Sequence, residues 1–268
     1  LDKALDNHQY PKEIAKLVCE TMVLSSSLSA TLKFDGIFTL QCEGDGPVRV
    51  VMADVTSDGR MRGYVRFSKD ELDKKRGEGD LNTIDLLGHG YLSFNVEKGQ
   101  KSERYQGIVA LEGHRLTDSV SAYFHRSEQI KTAVLLAVDV ESQSGARGAA
   151  MIIQKLPENL ENKQFTSENQ EDWQKAVAIL NSVSHSELLD PNLETSDLLF
   201  RLYHDDGVRT FAQNFFVHHC RCSQEKVGKT LRAFPKKEVI ELIEDGHICV
   251  VCEFCKSNYR FRYKDLYN

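Results

Sequence analysis

His219-Cys220-Arg221-Cys222 and, twenty-nine residues further on, Cys252-Glu253-Phe254-Cys255 decide how the last fifth of this chain folds. Each stretch puts two soft thiolates on neighbouring positions of one turn. Two such pairs joined by a folded loop supply the four sulfurs that a tetrahedral structural zinc takes. The spacing predicts one zinc ion per chain, held by Cys220, Cys222, Cys252 and Cys255. Buried free thiols are one alternative. An iron–sulfur cluster on the Cys249-x-x-Cys252-x-x-Cys255 run is another, but it leaves Cys220 and Cys222 without a role. His218, His219 and His247 are near enough to substitute as ligands, yet four cysteines already close the shell.

The other cysteines sharpen the reading. Five of the seven fall between Cys220 and Cys255, whereas a secreted disulfide scaffold spreads its cysteines along the chain. Cys19 and Cys42 stand alone among apolar residues and read as core, and Cys249 as a buried strand residue. A module of about 50 residues buries too little surface to be secure alone, and structural zinc contributes on the order of 10 kcal/mol to modules of this kind.

Outward from the cysteines, the module offers a helix over Lys236–Glu244, ended by Gly246, and a strand over Tyr259–Tyr263. Upstream, Pro11 to Leu32 has apolar residues at helical spacing, with Pro11 suited to the first turn. Strand patterns follow: Phe38, Leu40 and Cys42 alternate, Glu43–Pro47 supplies a turn, and Val48–Ala53, Met61–Phe67, Tyr91–Val96 and Tyr105–Leu111 are bounded by Gly and Asp. A short helix over Leu116–Gln129 precedes two β-rich runs, Ala133–Val140 and Ala149–Leu156. PENLENKQFTS (157–167) is a polar break. Beyond it Ser167-x-x-Gln170 forms a capping box before a helix carrying Trp173, Ala176, Val177 and Leu180. A second helical segment runs from Thr195 to Tyr203, after the SHSELLDPN turn region. The fold class is α+β, with an antiparallel-sheet core and covering helices over 1–166. A helical linker over 167–214 is docked on something else, and a four-cysteine zinc module covers 215–268.

Composition excludes several classes. Charged residues make up 28% of the chain and the net charge is −6. Ten Lys/Arg stand against seven Asp/Glu from Phe216 to Asn268. A zinc ion on four thiolates brings that tail close to neutrality, which is no nucleic-acid footprint. No apolar run approaches the roughly 20 residues of a membrane helix, and no signal-peptide profile opens the chain, so a soluble cytoplasmic protein is expected. The Gly44/Gly46 turn lacks the Lys-Ser/Thr of a phosphate loop. No nucleophile motif appears among the Ser, His and Asp residues, so no enzyme activity is expected. In YFHRSEQ (123–129), Tyr123 and Phe124 read as packing, with Arg126 and Glu128 in a surface or interdomain pair.

The Cys-x-Cys and Cys-x-x-Cys pairs about thirty residues apart resemble the bacterial redox-regulated 33-kDa heat-shock chaperone family. The likeness extends through SLSATLKFDG (27–36), QCEGDGP (41–47), MRGYVRF (61–67), ERYQGIVALEG (103–113), YFHRSEQ (123–129) and LLFRLYHDD (198–206). It covers almost the whole chain, although Cys249 lies outside that family's four-cysteine set. The resemblance implies an ATP-independent holdase, inactive while reduced and zinc-loaded. Oxidation then forms Cys220–Cys222 and Cys252–Cys255 disulfides, expels zinc, loosens the linker and exposes apolar surface to unfolding client proteins. It further implies a homodimer when active and transfer of clients to ATP-dependent foldases. The helix face of Trp173, Val177 and Leu180, docked in the compact form, becomes the candidate client-binding surface. A zinc-ribbon interaction protein is the rival reading, but it wants a stronger basic patch. A thiol oxidoreductase is the other, but it wants Cys252-x-x-Cys255 at a helix N-terminus.

Overall fold

The alternation read at Phe38, Leu40 and Cys42 places all three side chains on the inner face of a strand in the computed structural model, which describes residues 1–77, 79, 81–98, 105–155 and 168–267. A four-residue helix, α1 (Asp2–Leu5), precedes the long α2 (Lys12–Ala30). Then come β1 (Gly36–Gly44), β2 (Val48–Thr56), β3 (Arg60–Phe67), α3 (Lys69–Arg76), α4 (Thr83–Leu87), β4 (Gly90–Lys98) and β5 (Tyr105–Ala110). Helix α5 (Leu116–Arg126) leads to the hairpin β6 (Thr132–Asp139) and β7 (Arg147–Gln154). Three helices follow, α6 (Glu168–Asn181), α7 (His185–Leu188) and α8 (Thr195–Tyr203). The cysteine-rich end holds β8 (Val217–His218), α9 (Gln224–Ala233), α10 (Lys236–Glu241), β9 (Ile243–Glu244), β10 (His247–Val251), β11 (Asn258–Phe261) and α11 (Tyr263–Tyr267).

The main sheet runs β5-β4-β1-β2-β3-β8, antiparallel except where β8 joins β3 in parallel. α2 lies on this sheet with β2 and β3 beneath it, and the β6–β7 hairpin covers its other side. A helix enclosed from both sides needs apolar residues around most of its circumference, and α2 buries Ile14, Leu17, Val18, Met22, Leu24 and Leu28. Its buried hydroxyls are satisfied locally: Thr21 donates to the Leu17 carbonyl and Ser25 to that of Ala53.

The β6–β7 hairpin is itself apolar on both faces, as a strand pair buried on two sides must be. Val134, Leu136 and Ile152 join the α2 core, while Ala133, Leu135, Met151 and Ile153 pack with Leu180, Val183 and Leu198 of the α6–α8 region. The docking expected of this helical stretch is therefore onto β6–β7. The cysteine-rich end has its own cluster: Leu231, Val239, Ile248, Phe261 and Leu266.

Several expectations need correction. The helix expected to reach Glu244 stops at Glu241, and Ile243–Glu244 pairs with His247–Ile248. Asp245 (φ 46°) and Gly246 (φ 75°) form a two-residue hairpin turn, so Gly246 turns a strand and does not end a helix. The last strand ends at Phe261, and Tyr263–Tyr267 is helical. Cys249 is in a strand but exposed: β10 turns Ile248 inward and Cys249 outward. Arg126 pairs with Glu112 at 2.8 Å, and Glu128 instead accepts from the Tyr123 hydroxyl at 2.7 Å. The capping box on Ser167 and the polar break over 157–167 lie outside the described residues.

Candidate metal centre

Cys220 and Cys222 lie on the short link between β8 and α9. Ser223 caps α9, its hydroxyl accepting from the Lys226 N–H at 3.2 Å, so the chain turns into the helix directly after the second sulfur. Cys252 and Cys255 sit at the tip of the β10–β11 hairpin. There the Cys252 N–H donates to the Ser257 carbonyl at 2.9 Å and the Lys256 N–H to the Cys252 carbonyl at 2.8 Å, closing a knuckle. The Cys-x-x-Cys pair therefore rides a hairpin turn and not a helix N-terminus.

The four Sγ atoms lie within 4.8 Å of one another. Cys220 is 3.3 Å from Cys222 and 3.7 Å from Cys252, and Cys222 is 3.4 Å from Cys255. A tetrahedral ion with metal–sulfur bonds of about 2.3 Å separates its sulfurs by about 3.8 Å, so the arrangement fits such an ion. Among the described residues this is the sole group of three or more His, Cys, Asp or Glu side chains with metal-binding geometry. His218, His219, His247 and Cys249 are not part of it. The run Cys249, Cys252, Cys255 is not gathered into a cluster.

The surroundings differentiate the sulfurs. The Tyr259 hydroxyl donates to Cys222 Sγ at 2.9 Å, and the Ser257 hydroxyl is 3.2 Å from Cys255 Sγ. Burial pushes the Cys255 thiol up, but hydrogen bonding with Ser257 and the neighbouring sulfurs outweighs it and brings the thiol down to about 7. Burial pushes Cys222 up. By contrast, Cys19 and Cys42 are fully enclosed and burial, the main cause at Cys19 and the sole one at Cys42, raises both thiols to about 12, so they are inert packing groups, as expected from their sequence context.

Sequence reasoning missed how this cluster is seated. Arg62 of β3 places its guanidinium 3.7 Å from the centre of the Phe254 ring, with Nη1 3.8 Å from Cys220 Sγ. Tyr64 meets the same ring edge to face at 4.6 Å. Asp54 of β2 accepts from Arg62 Nε at 3.0 Å and from Arg221 Nη2 at 2.7 Å. From the other side, Asn7 donates to the Cys255 carbonyl at 3.2 Å and His8 Nε2 lies 3.1 Å from the Phe254 carbonyl. Adjacent to these contacts, β8 extends the sheet. Gly59 (φ 82°) allows this, because a Cβ there would stand 2.2 Å from the Phe215 carbonyl oxygen. The basic residue between the two cysteines was the available signal, but sequence does not name its partner.

The candidate client-binding residues are only partly assembled into one cluster. Leu180 is 1% exposed and packs with Met151, Val183 and Leu198, while Trp173 and Val177 are half-buried on the same helix. Further along the chain, Phe200, Phe211 and Phe215 are exposed.

The model of the Hsp33 protein family matches residues 1–262. The 33 kDa chaperonin of Caulobacter vibrioides is 35% identical, over 97% of this chain and 86% of that protein. Its counterpart in Proteus mirabilis is also 35% identical, over 98% and 86%. The crystal structure of the 33 kDa chaperonin (heat shock protein 33 homolog) from Thermotoga maritima has the same fold, with a TM-score of 0.79 over 99% of this chain and 88% of that one, at 24% identity.

Proposed function

The chain belongs to the Hsp33 family, and from that premise we propose that it is a redox-regulated, ATP-independent holdase chaperone whose switch is the four-cysteine cluster. The observation that carries this reading is the convergence of four sulfurs from two distant segments onto the flank of the sheet. Reduced, Cys220, Cys222, Cys252 and Cys255 hold one zinc ion. Zinc does no redox chemistry of its own and serves as a crosslink between thiolates.

Oxidation is chemistry of the sulfurs. Two thiolates lose one electron each and join in a disulfide, while a peroxide takes both electrons and two protons and leaves as two waters. Pairing Cys220 with Cys222 and Cys252 with Cys255 consumes two peroxides and all four donor charges. Each disulfide closes a loop of only a few residues, so it constrains the unfolded chain little. The crosslink between the α9 end and the β10–β11 hairpin is gone, and five buried side chains must hold the module alone.

The consequence reaches the linker. We divide the chain into a core over 1–166, a linker over 167–214 and a switch module over 215–268. α6–α8 are docked by a small cluster around Leu180, Val183 and Leu198, a low-stability arrangement that opens when its neighbour melts. Opening uncovers Trp173, Val177, Leu180 and the apolar face of β6–β7, adding to the exposed Phe200, Phe211 and Phe215. This surface captures unfolding proteins in the cytoplasm during oxidative stress. The active form is a homodimer that passes clients to ATP-dependent foldases. No helix is long and apolar enough to cross a membrane among the described residues.

The test is zinc content before and after peroxide at mildly raised temperature, with aggregation of a heat-labile client followed in parallel. One zinc per chain, lost as aggregation is suppressed, is the expected outcome. Retained zinc with unabated aggregation would make the cluster a permanent staple and the protein a zinc-ribbon interaction protein.

A further inference from the structure

We propose that Asp54 anchors a charge-dependent latch, closed by Arg62 and Arg221, that keeps the four-cysteine module on the sheet only while its sulfurs are anionic. This rests on the redox reading of the cluster and adds how the state of the sulfurs reaches the sheet.

Asp54 is 3% exposed, a carboxylate with almost no water. Arg62 is its cross-strand partner in the β2–β3 pair and belongs to the core. Arg221 stands between Cys220 and Cys222 and belongs to the module. Both guanidiniums donate to the same oxygen, Oδ2, at 3.0 and 2.7 Å. One buried carboxylate therefore ties the two parts of the molecule together.

The charge count makes this tie conditional. Two guanidiniums, each with a 17% exposed side chain, share one carboxylate, which leaves an excess positive charge in a site largely closed to water. The Phe254 ring covers Arg62, and Arg221 Nη1 is buried with no hydrogen-bond partner, so its cost is not met by neutral acceptors. The compensating anion is the sulfur cluster, with Cys220 Sγ 3.8 Å from Arg62 Nη1. The exposed carboxylate of Glu97 adds a weaker opposing field at Arg221.

Disulfide formation removes the sulfur charge and leaves the guanidiniums where they were. A buried cation whose partner has gone is strongly destabilising, and it returns to water. Arg62 is held on β3 by its pairing with Asp54 of β2, so Arg221 is the residue that leaves. Because it is flanked by Cys220 and Cys222, the module moves with it, and β8, three residues upstream, is pulled from β3.

Hydrogen exchange on the full-length protein reads this directly at the Val217 and His219 amides, which donate to the Gly59 and Met61 carbonyls at 2.9 Å in each case. Reduced, zinc-loaded Asp54→Asn should keep one zinc per chain and unchanged exchange across β1, yet exchange these two amides about tenfold faster than wild type. In wild type, peroxide should produce a rise of similar size. Arg221→Met removes the excess charge, so the peroxide-induced rise at its two amides should be clearly smaller than in wild type, leaving only the part due to loss of the sulfur crosslink. Wild-type exchange in reduced Asp54→Asn would overturn the anchor role. A full oxidised-to-reduced ratio in Arg221→Met would overturn transmission through charge. Sulfurs that resist peroxide in wild type would instead refute the redox reading, leaving the reduced Asp54→Asn comparison as the test of the anchor.

Discussion

The sheet core and the cysteine-rich module are built by opposite means. In the core, 27 buried side chains among the described residues form one cluster running through α2, the sheet and α5. In the module the corresponding cluster has five, and its two halves meet at four sulfur atoms. Stability spread over many contacts is insensitive to the loss of any one. Stability concentrated in four atoms of one reactive element is lost all at once, which suits a switch and would ruin a scaffold.

Removing metal from the reduced protein with a chelator is the hardest test of this contrast, since it withdraws on the order of 10 kcal/mol from the module. Amides over 243–261 should lose protection while those over 36–56 keep theirs. Parallel loss in both regions would mean that the core also leans on the sulfurs.

Leu40→Ala addresses the other side. Leu40 is fully enclosed on β1, and the substitution should lower the core by about 3 kcal/mol. Calorimetry should register it in the core transition with zinc content unchanged. Val239→Ala, in the module's small cluster, removes about 1.5 kcal/mol of burial. There metal binding and folding are one event, so the loss should appear as roughly tenfold weaker zinc affinity in a competition titration. A shift in the core transition instead would blur the boundary between the two regions.

The smallest effect is one of pH. Burial lowers the His8 pKa from 6.5, opposed by its bond to the Phe254 carbonyl. The folded value lies below the unfolded one, so the buried neutral ring is accommodated without penalty above pH 6.5, and stability is lost as pH falls toward the folded value. Between pH 7.5 and 5.5 the module's melting midpoint should fall more steeply in wild type than in His8→Gln. Equal slopes would show that protonation of His8 does not loosen the module.

Legibility in the sequence divided along similar lines. α2 and the alternating strands were readable because burial imposes a period on apolar residues, and β6 and β7 were readable only as two β-rich runs. α3 was not, because it buries Leu72 alone and offers no period. The stretch from Lys236 to Glu244 has helical spacing throughout, and only pairing with His247–Ile248 draws Ile243–Glu244 into a strand. The four sulfurs were evident from spacing. Their seat on Asp54, Arg62, Tyr64 and His8 was not, because polar contacts between distant residues leave no local pattern.

β8 also has a place in time. Its bonds to β3 join positions separated by more than half the chain, whereas β1, β2 and β3 follow one another through short turns. Hairpin neighbours pay little loop-closure entropy and β8 pays much more. On a ribosome, residues 36–67 can pair long before residue 217 is made. The nascent sheet therefore waits with its β3 edge bare, and its last strand arrives together with Cys220 and Cys222, the first two cysteines of the cluster.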